Sequence, residues 1–224
     1  MITEKYPEMK PFVGSNYDSN EHKRLLIVGE SHYLPDYSTV HLDPSKWYNG
    51  NSSLLDSDEK YWINTAELIE WSTHESFNKK GWSMYRNIHN ALKESGLKSK
   101  SFSGENEYLF DEVAYMNYFK RPANKGNSIK QIFDPVDQEI AYQVFCDTVK
   151  NLKPDLIVIA SRYVNQKIEE KEVWKFLKEM NCTYCHTPHP TSAYWNRKLN
   201  WKSFEGRTGK EQFIHFLITN RFFK

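Results

Sequence analysis

Residues 25–33 read Leu-Leu-Ile-Val-Gly-Glu-Ser-His-Tyr, four apolar residues in an unbroken run, then a glycine, then a polar cluster. A strand buried on both faces reads this way in a parallel sheet, because helices cover both sides and no position alternates to solvent. A second run, Leu156-Ile157-Val158-Ile159-Ala160, follows Pro154-Asp155 and has the same character. Residues 108–119 read as a strand region ending near Asn117, and Cys182–His186 as a further short strand.

Helical patterns fall between these runs. Residues 60–75 read as a helix. Residues 82–95 read as another, with Trp82, Tyr85, Ile88, His89 and Leu92 near one face and Gly96 as a stop. Asp134-Pro135 has the N-cap and first-turn chemistry of a helix start, with Ile140, Val144, Thr148 and Leu152 as its expected buried stripe. A helix near 165–180 follows. The last begins at Thr208-Gly209-Lys210-Glu211, a capping box, and buries Phe213, Phe216 and Leu217. Alternating strands and helices predict an α/β fold, a three-layer α/β/α sandwich around a central, mainly parallel four-stranded sheet. Ligands of such sheets bind outside the carboxyl ends of the strands. Gly29–Tyr33, Asn117 and His189 all fall immediately after expected strands.

The chain has 224 residues, which suits one domain, with residues 1–22, broken by Pro7, Pro11 and Gly14, expected as a surface arm. Lys plus Arg number 30 against 29 Asp plus Glu, a net charge of +1, so a whole-surface basic field for nucleic acid is excluded while a local basic face is not. No run of about 18 apolar residues marks a membrane span. The first residues are polar rather than secretory, and three cysteines make no disulfide framework. A cytoplasmic protein is the expectation, without internal repeats or low-complexity tracts. The polar stretch 34–58 is a long connection of the kind that carries function.

Four segments, in order, resemble the uracil-DNA glycosylase superfamily. Leu26–Tyr33 is similar to its first motif, G-Q-D-P-Y in one branch and G-E-A-P-G in the iron–sulphur branch. Ala114-Tyr115-Met116-Asn117-Tyr118-Phe119-Lys120-Arg121-Pro122 resembles I-T-N-V-V-K-C-R-P. Pro154-Asp155 with its strand resembles the family's P-x-hydrophobic strand, and Thr187-Pro188-His189-Pro190-Thr191-Ser192-Ala193 resembles the final H-P-S-P-L motif. The likeness spans roughly residues 24–197.

The resemblance implies hydrolysis of the N-glycosidic bond of uracil or another deaminated base in DNA, single- or double-stranded, by a monomer without a cofactor. Such a base leaves the stack and enters a pocket. His189 would stabilise charge growing on the base carbonyl. Glu30 would orient the attacking water, and Asn117 would read the base edge with its paired donor and acceptor. Gly29, Ser31 and Tyr33 would line the pocket. Thr191 and Ser192 would bind phosphate, with Lys120, Arg121 and Arg197 adding charge to that track. Tyr194 and Trp195 would stand where the family inserts a wedge into the duplex, core packing being the competing reading. Trp47 and Tyr48 are candidates for a ring stacked on the base.

Departures from the family bear on activity. Ser31 replaces the water-activating aspartate, His32 the usual proline and Ala193 the inserting leucine. The four-cysteine cluster cannot form from Cys146, Cys182 and Cys185.

Three rival readings remain. A zinc site could draw on Cys182, Cys185, His186 and His189, although the span is short and the two cysteines of a strand would face opposite sides. Gly29–Tyr33 resembles a serine-hydrolase elbow that has lost its last glycine. A protein of this fold could also bind a nucleobase, nucleotide or nucleic acid without cutting it.

Overall fold

A computed structural model describes residues 1–200 and 202–223. Among them, β1 (Phe12–Val13), β2 (Leu25–Gly29), β3 (Ala114–Asn117), β4 (Leu156–Ile159) and β5 (Thr183–His186) form one five-stranded sheet in the order β1-β3-β2-β4-β5. β3, β2, β4 and β5 are mutually parallel, and only the two-residue β1 runs antiparallel at the edge. Leu26 stands opposite both Ala114 and Ile157, so the strand quoted first is at the centre of the sheet. All five of its residues are buried, which explains why it carries no polar alternation.

Side chains of period two divide the core into two layers. Leu26, Val28, Met116, Ile157 and Ile159 face one side. There they meet Ile63 of α1 (Ser57–Ile63), Ala141 and Phe145 of α4 (Pro135–Leu152), Val164 and Ile168 of α5 (Arg162–Glu170), and Leu177 of α6 (Val173–Glu179). Leu25, Ile27, Tyr115 and Val158 face the other. Here they meet Ile69 of α2 (Thr65–His74), Tyr85, Ile88 and Leu92 of α3 (Ser83–Glu94), and Phe213, Phe216 and Leu217 of α7 (Gly209–Thr219). Each large aliphatic side chain so buried contributes about 1.5–3 kcal/mol. Among the described residues no helix is long and apolar enough to cross a membrane.

The caps read from sequence are present. Asp134 accepts from Val136 N–H at 2.9 Å, Asp137 reaches back to Asp134 N–H at 2.8 Å, and Thr208 and Glu211 form the equivalent box on α7. The buried stripe of α4 keeps Val144 and Thr148 as expected but differs at its two ends. Ala141, Val144, Phe145, Thr148 and Val149 are buried, while Ile140 and Leu152 sit at its margin.

Other expectations are corrected. Residues 1–22 are not a surface arm: Tyr6 is fully buried and stacks on Trp47 at 4.1 Å, Met9 and Tyr17 are buried, and Phe12–Val13 adds β1 to the sheet. The helix expected over 60–75 is two, because the Asn64 side chain caps α2 by accepting Glu67 N–H at 3.2 Å. The 165–180 segment likewise divides at Lys171–Glu172, where Glu172 has a φ of 50°. In the 108–119 segment only Ala114–Asn117 is strand, and Leu109–Glu112 makes a short helical turn.

Candidate functional site

The chain leaves β2 toward β3 on one side and leaves β4 toward β5 on the other, with α2 and α3 on one face and α5 and α6 on the opposite one. Between the carboxyl ends of β2 and β4 the winding therefore reverses, the place where sheets of this kind carry their ligand crevice. Glu30 is the first residue past β2. Its Oε1 accepts the Ser128 hydroxyl at 2.5 Å and its Oε2 accepts the Ser161 hydroxyl at 2.6 Å. Ser161 is also the N-cap of α5, accepting Val164 N–H at 3.3 Å. The carboxylate thus stands beside the N-terminus of α5.

Asn117 ends β3 directly opposite Gly29. Its Oδ1 accepts the Tyr115 hydroxyl at 2.9 Å, and both groups lie over Gly29 so closely that a Cβ there would be 2.4 Å from Oδ1 and 2.1 Å from Tyr115 Oη. Glycine at this position is what lets the amide lie against the strand. Asn117 is only 2% exposed. Backbone bonds from Tyr118 N–H to Gly29 O and from Phe119 N–H to Glu30 O lock the two loop starts together.

His189 follows β5 in a turn closed by Ser192 N–H on His189 O at 2.8 Å. The Asn87 amide holds the turn to α3 by donating to Pro190 O at 2.7 Å. The Nδ1 of His189 accepts Thr191 N–H at 3.3 Å and lies 2.8 Å from the Thr191 hydroxyl. A backbone N–H can only donate, so Nδ1 is the acceptor and the ring proton of the neutral imidazole sits on Nε2. Burial lowers the His189 pKa, while the negative Glu30 pulls it back up. That field places the carboxylate and the imidazole in one electrostatic neighbourhood. Tyr33, half-buried, belongs to it too: burial first and Glu30 second raise its phenol.

The structure therefore brings Gly29, Glu30, Tyr33, Asn117 and His189 to the same end of the sheet. Ser31 is buried beside them. Thr191 is exposed, and the buried Ser192 Oγ has no hydrogen-bond partner among the described residues. Tyr194 and Arg197 are exposed.

Three expected nucleic-acid contacts are corrected. Lys120 is fully buried, donates to Asn117 O at 2.7 Å, and has its pKa pushed down to about 7 by burial. Arg121 is fully buried too, paired with Asp137 at 2.6 and 2.8 Å and donating to the carbonyls of His41 and Ile132. Neither side chain reaches a phosphate track. Their stems run into the core because Asp137 and main-chain carbonyls supply partners there. Trp195 is no wedge; it is fully buried against Phe213 at 6.2 Å. Nor do Trp47 and Tyr48 offer a ring for stacking: Trp47 is under Tyr6, with its indole N–H on Lys120 O, and the Tyr48 hydroxyl donates to Asp137 at 2.7 Å. Cys182 packs in one core layer and Cys185 against the other, so the two thiols cannot close on one ion.

Sequence reasoning missed Ser128, Ser161, Tyr115 and Asn87. Ser161 had a signal, since it directly follows a buried strand as Glu30 does. Tyr115 had one in its i, i+2 spacing from Asn117 on the same sheet face. Ser128 and Asn87 had none, because each reaches the site from a distant element.

The chemistry open to this arrangement is that of a hydrogen-bonded carboxylate and an imidazole with its proton on Nε2 at the same end of the sheet as a buried amide. It can hold a planar polar ring, stabilise negative charge on that ring's carbonyl, and place a cationic carbon or a water near Glu30. No protein-family model matches the chain, and no curated protein matches it.

Proposed function

We propose that the chain is a divergent relative of the uracil-DNA glycosylase superfamily and that it hydrolyses the N-glycosidic bond of uracil or another deaminated base in DNA. The observation that carries the reading is the neutral, Nε2-protonated His189 in the field of Glu30 at the winding reversal of the sheet. The C1′–N bond breaks with its electron pair passing to the base. Nε2–H donates to the base carbonyl on which that charge collects, Glu30 faces the electron-poor sugar carbon, and water adds to C1′, giving up a proton that the departing base anion takes. Asn117 holds the base edge, and Tyr115 fixes the orientation of its amide.

A second reading, binding of a nucleobase or nucleotide without cleavage, is favoured by one observation. Both Glu30 oxygens already accept serine hydroxyls, which takes up acceptor positions that would otherwise orient a water.

The test uses labelled single- and double-stranded oligonucleotides carrying uracil, hypoxanthine or xanthine, with alkali to reveal abasic sites. Cleavage that disappears in His189→Ala and Asn117→Ala supports the enzyme. Intact oligonucleotides with folded wild-type protein, together with Asn117-dependent binding, establish the second reading. Neither cleavage nor binding refutes both.

A further inference from the structure

Beside this site, α5, the end of β5 and Ser203 line a depression of about 360 Å³. It is lined by Arg162, Asn165, Gln166, Glu169, His186 and Ser203, none of which belongs to the site above. Its inner wall is short of donors. Asn165 is 5% exposed and spends its amide N–H on Glu169 Oε1 at 2.8 Å, which leaves Oδ1 buried without a hydrogen-bond partner. A buried acceptor in that state is costly, and a donor brought by a ligand relieves it. The Glu169 carboxylate adds a second acceptor on the same helix face, one turn on. At the rim stand a guanidinium, Arg162, and a primary amide, Gln166. The His186 ring lies edge-on to Phe204 at 5.5 Å and borders the floor.

The volume is at the lower end of that of small-molecule sites and suits one nucleotide. An exocyclic amine offers two N–H donors, one for Asn165 Oδ1 and one for Glu169, where thymine offers N3–H alone. The position is equally specific. Arg162 follows Ser161, which holds Glu30, and His186 precedes His189 by one short loop, so the two sites are adjacent along both elements.

We propose that this depression is a subsite for the nucleotide next to the one in the crevice, selecting adenine, cytosine or guanine there over thymine; the assignment rests on the nucleic-acid reading of the crevice. The experiment compares single-stranded pentanucleotides with a central uracil flanked on both sides by cytosine or by thymine, and free dCMP, by titration calorimetry and by the His186 ring signals in NMR. The cytosine-flanked strand is expected to bind about tenfold tighter, one hydrogen bond's worth. Asn165→Leu and the exposed Glu169→Gln each abolish that preference, whereas His189→Ala weakens both strands alike and preserves it. Equal binding of the two strands, or a preference that survives both subsite variants, overturns the proposal. Binding of dCMP with shifted His186 signals but of neither pentanucleotide overturns the crevice reading and the strand assignment together, and leaves a free nucleotide as the occupant.

Discussion

Replacing Gly29 with alanine tests the geometry on which the site depends. In most strands this exchange is mildly stabilising, because glycine is the more disordered residue when unfolded. Here the new Cβ would stand 2.1 Å from Tyr115 Oη, 2.4 Å from Asn117 Oδ1 and 3.0 Å from Tyr115 Cζ. Relief requires a displacement of roughly an ångström in close-packed surroundings. Tyr115 is fully buried against Tyr85 at 5.7 Å and has nowhere to swing, and Gly29 sits in the central strand. Overpacking of this kind costs about 1–3 kcal/mol, and losing the Tyr115–Asn117 bond adds about 1. For a chain of this size that lowers the melting temperature by roughly 5–15 °C. Thermal unfolding by circular dichroism, run beside oligonucleotide binding, reads both consequences. Adding Tyr115→Phe removes the nearest atom and returns part of the loss, a coupling that the double-mutant cycle measures. A Gly29→Ala protein that melts at or above the wild-type temperature with unchanged binding would refute the packing argument.

Further outcomes follow from the buried charges and the histidine. Arg121→Met leaves Asp137 buried and unpaired and destabilises the fold by about 3–5 kcal/mol, whereas Arg197→Ala leaves the melting temperature unchanged; the reverse order in a melting series would restore Arg121 to the surface. Burial holds Lys120 near 7 against an ordinary 10.5, so the unfolded chain binds the proton between those values and the folded chain does not. Stability therefore climbs as pH rises through that window, and Lys120→Met removes the climb, which denaturant titrations at pH 7 and pH 9.5 detect. The His189 imidazole titrates below the ordinary 6.5, and Glu30→Gln moves it lower still because the carboxylate is what favours the proton. NMR titration of the ring C–H signals checks the sign without needing activity, and an upward move contradicts the assigned neighbourhood.

Leu25–Gly29 and Leu156–Ile159 were legible because burial on both faces demands unbroken apolar runs, and Asp134 and Thr208 because helix starts need side-chain acceptors. The start of the chain was not. Prolines and polar residues suggested an arm, but Tyr6 and Met9 are spaced to drop into a groove that only the folded molecule forms. Lys120 and Arg121 misled for a physical reason: charged residues are seldom fully buried, and the partners that make it tolerable, Asn117 O for Lys120 and Asp137 for Arg121, are met only in the folded chain. Glu30, Asn117 and His189 were singled out by their place at strand ends, and all three do lie at the carboxyl end of the sheet. The two serines on Glu30 depend on tertiary approach, and only Ser161 shares that topological position.

The arrangement of the sheet also governs how the molecule can be assembled. The central strand is made early, yet its two neighbours, opposite Leu26 at Ala114 and Ile157, emerge from the ribosome much later. Until then Leu25–Val28 has no partner on either edge, and β1, which seals the outer side of β3, must wait for the same residues. Contacts of such long sequence separation slow folding and leave a sticky apolar segment waiting in the nascent chain. Refolding of the full chain is therefore paced by the arrival of β4, and a chain truncated before residue 156 holds an open-edged sheet prone to self-association.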